Sequence, residues 1–325
     1  MSLGLRRAGF DIRVAVEMDE GSAKTYRANH RKTSVLQCDI NDVTGKEILR
    51  AAKLRRGGVD LIVGCPPCQG FSRIRRRNGD KAVVDERNDL VLQFARLVRE
   101  IRPHVVLMEN VPGLETDWRF RRLLAVLRGC RYKVEWDVLN AHEYDVPQRR
   151  RRLVMIGWRK KARPNLEDIP RRKGGTVRAA IEKLPNLPES AKALRRLRPS
   201  YTADVKTRIT AVPKNGGSRK GIPSELVLQC HKDDPGFRDV YGRMQWDEPA
   251  PTITGGCINP SKGRFLHPRY NRAVSLVEAA RLQSFPIWYK FDAELGRYPV
   301  AEMIGNALPP NLASRLARYV KDQAL

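Results

Sequence analysis

Residues Gly64-Cys65-Pro66-Pro67-Cys68-Gln69-Gly70-Phe71-Ser72 constrain this chain more than any other stretch. They follow a short apolar run, Val59–Val63, that reads as a buried strand. The Pro-Pro step fixes the backbone directly before a cysteine and removes two N–H donors. Such a step suits a thiol held in one orientation at the carboxyl end of a strand, where open α/β sheets place their chemistry. The same residues contain a C-x-x-C spacing, which also fits a redox pair or half a zinc site. Zinc would want two more ligands at short spacing. Cys38, Cys130, Cys230 and Cys257 are scattered singly instead. A redox dithiol usually opens a helix, whereas here two prolines separate the sulfurs.

The rest of the first half alternates strand-like and helical stretches. Arg13–Val16, Val59–Val63, Val105–Met108, Val134–Leu139 and Leu153–Ile156 read as strands. Ser22–Asn29, Lys46–Lys53, Asn88–Ile101 and Arg119–Leu127 carry helical apolar spacing, clearest in Leu90, Val91, Phe94, Leu97, Val98 and Ile101. This alternation predicts a doubly wound, mostly parallel α/β sheet. The pattern breaks after Trp158. Residues 159–265 are rich in Pro, Gly, Lys and Arg, with short strand-like pieces, and regular helix returns at Ser275–Ser284 and Asn311–Asp322.

Composition narrows the partners. The 325 residues hold 62 Lys+Arg against 36 Asp+Glu, a formal net charge of +26. An excess that large points to a polyanion, and nucleic acid is the default reading. The basic, glycine-containing stretch Lys214–Gly221 could follow a phosphate backbone, with Arg219 and Lys220 as its contacts, or be a solvated linker. No apolar run approaches the ~20 residues that span a bilayer, and the first residues lack a signal-peptide core. Six unpatterned cysteines fit free thiols in a reducing compartment. The expectation is a cytoplasmic protein.

Pro-Cys-Gln-x-Phe-Ser after a strand resembles the nucleophile loop of cytosine-C5 DNA methyltransferases, and six further segments fall in that family's order across nearly the whole chain. They are Val14–Asp19, Cys38-Asp39-Ile40, Met108-Glu109-Asn110-Val111-Pro112, Asp145–Arg152, Arg281–Pro286 and Ile304–Pro310. The resemblance implies a Rossmann-like methyltransferase fold with a smaller, irregular target-recognition domain. Residues 1–165, completed by 300–325, would form the catalytic domain, and 166–299 the recognition domain. It implies Cys68, Glu109, Arg150 and Arg152 as catalytic residues, the two arginines facing the active site. Glu17, Met18, Asp39, Ile40, Leu90 and Asn306 would bind S-adenosylmethionine, and Gln69 and Ser72 would lie near the DNA backbone. A carboxylate such as Glu109 at the end of an apolar strand is expensive without a task or a partner.

The implied reaction is methyl transfer to C5 of a flipped-out cytosine in double-stranded DNA. No metal is implied, a monomer is expected, and a restriction endonuclease of the same specificity is a possible partner. A tRNA cytosine methyltransferase of the same fold and an inactive DNA-binding remnant are the alternatives. One departure is large. The family's opening Asp-Leu-Phe strand and Gly-rich turn do not precede Ser2–Phe10, and Met1 stands inside that motif. The expectation is a start codon placed on an internal Met. The 325-residue chain alone would then bind the methyl donor poorly.

Overall fold

A computed structural model of the chain describes residues 1–67, 89–159, 165–232 and 239–325, except for the side chains of Cys230 and His231. The chain divides into two compact units. Met1–Asn140, Arg151–Arg171 and Leu312–Leu325 form the first, and Ala141–Arg150 with Arg172–Asn311 the second. Residues 300–311 thus group with the second unit, not with the first as the sequence suggests. No helix among the described residues is long and apolar enough to cross a membrane.

The first unit carries two open sheets. Strands β1 (Val14–Val16) and β2 (Ser34–Leu36) pair in parallel. Strands β3 (Leu61–Gly64), β4 (Val105–Asn110), β5 (Lys133–Asn140) and β6 (Arg151–Trp158) are ordered β3-β4-β6-β5. β3 is parallel to β4, and β6 is antiparallel to both β4 and β5. Hence β3, β4 and β5 share one direction and β6 alone opposes it. The expected strands are all present, and β2 is one that the sequence did not suggest.

Alternation along the strands winds helices onto both faces. Val106 and Met108 of β4 and Leu153 and Met155 of β6 pack against Val91, Phe94 and Val98 of helix Leu90–Ile101. Phe120, Leu123 and Leu127 of helix Trp118–Gly129 complete that layer. Ile62 of β3 packs on the same side, whereas Leu61 and Val63 lie against Leu5 and Ala8 near the N-terminus and Ala317 of the C-terminal helix. Every residue of β4 is buried, while β1 and β3, each at a sheet edge, are only half-buried. Helix Gly45–Ala52 starts at a capping box, in which Thr44 and Glu47 exchange side-chain and backbone bonds.

The second unit contains short helices, among them Val177–Ile181, Glu189–Arg196 and Ala203–Ala211. The strand-like pieces expected there appear as isolated bridges, such as Arg243 to Leu266 and Gln148 to Ala250. Irregular backbone leaves carbonyls without ladder partners, and such groups need donors when buried. Arg243 supplies them. Fully buried, it donates to the carbonyls of Ile209, Val212, His267 and Tyr270 and to Asn271 Oδ1, at 2.7–3.0 Å. Burial holds its pKa below the ordinary arginine value, but an arginine stays charged nonetheless.

Gly64, which ends β3, shows how closely the fold approaches the active-site loop. A Cβ there would stand 2.6 Å from ring carbons of Phe94. Overpacking of this kind costs about 1–3 kcal/mol. Gly64→Ala should therefore lower the urea midpoint by a corresponding amount with an unchanged slope. An unaltered midpoint would show that the Phe94 ring yields freely.

Candidate active site

Glu109 is the fifth residue of β4 and is 5% exposed. A carboxylate so buried costs several kcal/mol unless it is paired and hydrogen-bonded. The antiparallel register sets Glu109 opposite Val154. Arg152, two residues before Val154, is therefore its diagonal neighbour on the same face. Arg152 Nε lies 2.8 Å from Glu109 Oε1, with the two side chains 14% and 7% exposed.

β3 runs alongside with Gly64 opposite Met108, which brings Cys65 level with Glu109. The Cys65 thiol hydrogen-bonds to that carboxylate. The residue presents surface to solvent, yet its sulfur sits in dense surroundings. That enclosure, and then the charge of Glu109, push the thiol well above its ordinary pKa, against the opposing pull of the Met1 ammonium and Arg152. Only a thiolate is a good nucleophile. Cys65 is a neutral hydrogen-bond donor here.

Asn110 fixes what comes next. Its Nδ2 donates to the Pro66 carbonyl at 3.1 Å, and its Oδ1 accepts from Val111 N at 2.8 Å. The residue after Glu109 thus ties down the Cys65-Pro66-Pro67 segment that leads into Cys68. Cys68, Gln69 and Ser72 themselves lie outside the described residues.

The expected donor-binding residues of the first unit sit at strand ends. Glu17 follows β1, and its N–H donates to Leu36 O of β2 at 3.1 Å. Its carboxylate accepts from Asp19 N at 3.1 Å, and desolvation holds its pKa above the ordinary value. Met18 beside it is 64% exposed. Beyond β2, Asp39 closes an Asx-type turn by accepting from Asn41 N at 2.8 Å. Ile40 packs with Leu49, Leu97 and Ile101, and Leu90 opens its helix half-buried. A desolvated carboxylate next to an exposed apolar side chain suits the ribose hydroxyls and base of a nucleoside. Asn306, exposed at the end of helix Arg297–Asn306, belongs to the second unit.

Two expectations need correction. Arg150 does not join Arg152. It lies in the segment before β6, is 2% exposed, and donates from Nη1 to Ile253 O at 2.8 Å and from Nη2 to Gly305 O at 2.9 Å. Its guanidinium holds backbone together within the second unit. Arg219 is buried as well, at 8% exposed, with no hydrogen-bond partner for Nη1 among the described residues, so only Lys220 of the expected pair is exposed.

Around Arg150 lies a network that the sequence did not disclose. Gln148 Oε1 accepts from Ile253 N, and its Nε2 donates to Leu282 O and to Gln283 Oε1. Gln283 Nε2 donates in turn to Ile304 O at 2.6 Å and to Ala307 O. Gly305 is required there, because a Cβ would stand 2.1 Å from the backbone of Thr254 and Gly255. Three of the sequence motifs meet in this network, two of them through a glutamine, Gln148 and Gln283.

A Rossmann-like sheet with a buried carboxylate near the end of one strand, level with the Cys65-Pro66-Pro67 segment beyond the next, is the arrangement that the resemblance to cytosine-C5 methyltransferases implies. The family model for C-5 cytosine-specific DNA methylases matches residues 1–322. The chain is 34% identical to the Type II methylase M.HgiDII of Herpetosiphon aurantiacus, over 98% of this chain and 91% of that protein. It is 33% identical to the Type II methyltransferase M1.HphI of Haemophilus parahaemolyticus, over 98% and 83%. Among solved structures, S. pombe Dnmt2 methyltransferase superposes with a TM-score of 0.64 at 19% identity, covering 99% of this chain and 95% of that one. A prophage-encoded E. coli protein reaches a TM-score of 0.75 at 24% identity, covering 99% and 95%. The chain belongs to the C-5 cytosine-specific DNA methylase family.

Removing one partner of a buried pair strands the other charge, at about 3–5 kcal/mol. Arg152→Met should cost an amount of that order, and adding Glu109→Gln should recover most of it, as a double-mutant cycle by urea unfolding would show. Additive losses would mean that the two groups are not coupled. Cys65 should also resist iodoacetamide at pH 8. Its labelling should speed up in Glu109→Gln, where the nearby negative charge is gone.

Proposed function

We propose that the chain methylates C5 of a flipped-out cytosine in double-stranded DNA through a covalent adduct between Cys68 and C6. The observation that carries this reading is the Glu109–Arg152 pair, set beside the Cys65-Pro66-Pro67 segment by the β3–β4–β6 register. Ring carbon C5 of cytosine is a poor nucleophile. Addition of the Cys68 thiolate to C6 moves electron density to C5, while Glu109 holds N3 and the exocyclic amine. Arg152 keeps the Glu109 carboxyl group oriented and balances its charge in the apolar strand end. S-adenosylmethionine, when bound, would supply the methyl group, the pair of the broken S–CH3 bond staying on the sulfur of the demethylated thioether that departs. Loss of the C5 proton to a base then restores the C5–C6 double bond and expels the Cys68 thiolate. Covalent catalysis of this kind divides one hard step into easier ones.

For the donor, Glu17 would take the ribose hydroxyls, Met18 would lie against the base, and Asp39, Ile40, Leu90 and Asn306 would complete its surroundings. The target base has to leave the duplex at a cost of a few kcal/mol, which phosphate contacts from Gln69 and Ser72, and from Lys220 with the rest of a recognition domain over 166–299, would offset. The Type II names of the relatives favour a modification enzyme acting beside an endonuclease of the same specificity, and we expect it to work as a cytoplasmic monomer.

Cys68→Ser should abolish turnover, whereas Cys65→Ser should leave much of it. Glu109→Gln should lose about 10²–10⁴-fold in rate while retaining DNA binding. A duplex carrying 5-fluorocytosine at the target should trap the unaltered protein covalently, because fluorine cannot leave C5 as a proton does. Covalent trapping by Cys68→Ser would refute the assignment.

A further inference from the structure

Within the second unit a cleft of about 300 Å³ opens where Tyr201, Tyr241, Ile258–Ser261 and Arg297-Tyr298 come together. Three phenol rings line it, and among the described residues no acidic side chain does. The ring of Tyr241 is a fixed floor, 4% exposed, with the guanidinium carbon of Arg208 5.4 Å from its centroid. Tyr298 stands at the opposite extreme, 57% exposed, with the Arg297 guanidinium 4.9 Å from its centroid. Hydrogen bonds tie the hydroxyl ends in place. Tyr201 Oη accepts from Ala273 N at 3.1 Å, and Tyr298 Oη accepts from Arg297 Nη2 at 3.2 Å. Asn259 Oδ1 already accepts from Ser261 N and Oγ, at 3.0 and 2.8 Å. The amide nitrogen of Asn259 is therefore the end with donors to give.

The ligand such a cleft takes is flat, to lie on phenol faces, and rich in acceptors or negative charge, to meet Arg297 and the Asn259 amide. A nucleobase with its phosphate has both properties. Aromatic rings with interleaved arginines are how proteins hold unstacked bases. The volume admits one such unit and excludes a duplex.

We propose that this cleft is a second nucleotide subsite, which holds one unstacked nucleotide of a DNA strand and is distinct from the Glu109 site. The proposal rests on the reading of the chain as a DNA-acting enzyme. Tyr298, the exposed ring, stacks the base over the floor that Tyr241 closes, and Arg297 meets its phosphate. The nucleotide held here is not the reacting cytosine, so the cleft offsets part of the cost of unstacking a base.

The test compares the full chain's affinity for a fully paired duplex with that for the same duplex carrying one unpaired adenosine. Stacking on an aromatic side chain corresponds to about 5- to 150-fold in affinity, so the bulged duplex should bind tighter by a factor in that range. Tyr298→Ala, at an exposed position, should lose the advantage and keep the affinity for paired DNA, while Tyr298→Phe and Glu109→Ala should retain it. An advantage that survives Tyr298→Ala overturns the proposal. So does one lost in Glu109→Ala alone, which would place the extra base in the catalytic site. Equal binding of both duplexes overturns the cleft and leaves the DNA-acting reading intact, whereas binding of neither overturns both. Competition by free dAMP as effective as that by the bulged strand would assign the cleft to mononucleotides and refute the strand assignment.

Discussion

A carboxylate inside a hydrophobic strand has to be answered, and the first unit is arranged around the answer. Every residue of β4 is buried, yet its fifth is Glu109. Arg152 can reach that carboxylate only because β6 runs against β4 in the register that sets Val154 opposite Glu109. The one reversed strand therefore delivers the cation. β3, parallel on the other side, delivers Cys65, whose neutral thiol adds a hydrogen bond without adding a second negative charge. A thiolate there would stand beside a carboxylate, and the raised pKa prevents it. The electrostatics of the site thus keep Cys65 a thiol and not a thiolate.

The second unit meets the opposite difficulty, an excess of backbone acceptors. With isolated bridges in place of ladders, its carbonyls are satisfied by long side chains with several donors. Arg243 serves four carbonyls and Arg150 two, while Gln148 and Gln283 pass hydrogen bonds between residues 253, 282, 304 and 307. A net hydrogen bond is worth about 1 kcal/mol, but a buried group left without one costs more. Arg150, which looks catalytic by position, is therefore scaffold, and its constraint is geometric. Gly305 makes the same point from the other side, since no side chain fits against Thr254 and Gly255.

Periodicity reveals what is regular. The run Leu90, Val91, Phe94, Leu97, Val98 and Ile101 announces its helix, and the apolar strands β3 to β6 are each visible as runs. β2 is only three residues, Ser34–Leu36, too short to alternate recognisably. Side-chain destinations are harder to read. Arg150 and Arg152 are two residues apart, as neighbours on one face of a strand would be. But Arg150 stands before β6 and turns to carbonyls at 253 and 305, contacts more than a hundred residues away in sequence. Glu109 was legible because a charge in an apolar strand is a conspicuous exception. Asn110, its neighbour, carries no such contrast, although it holds the Pro66 carbonyl of the segment that leads into Cys68.

The same distinction changes how the charge of the chain is to be read. A formal +26 counts every arginine as if it faced solvent. Arg150, Arg219 and Arg243 are at most 8% exposed, and Arg150 and Arg243 spend their donors on internal carbonyls. Arg152 and Arg272 are held against Glu109 and Glu278. In the Lys214–Gly221 stretch Arg219 is buried, so the exposed charge falls to Lys220 and to Lys214, which bonds to Asn271. Counterion release on binding DNA counts phosphates actually neutralised, and a guanidinium enclosed in protein neutralises none. Part of the basic excess in this chain is thus structural, the consequence of building an irregular unit whose carbonyls need multivalent donors. The salt dependence of DNA binding measures only the remainder.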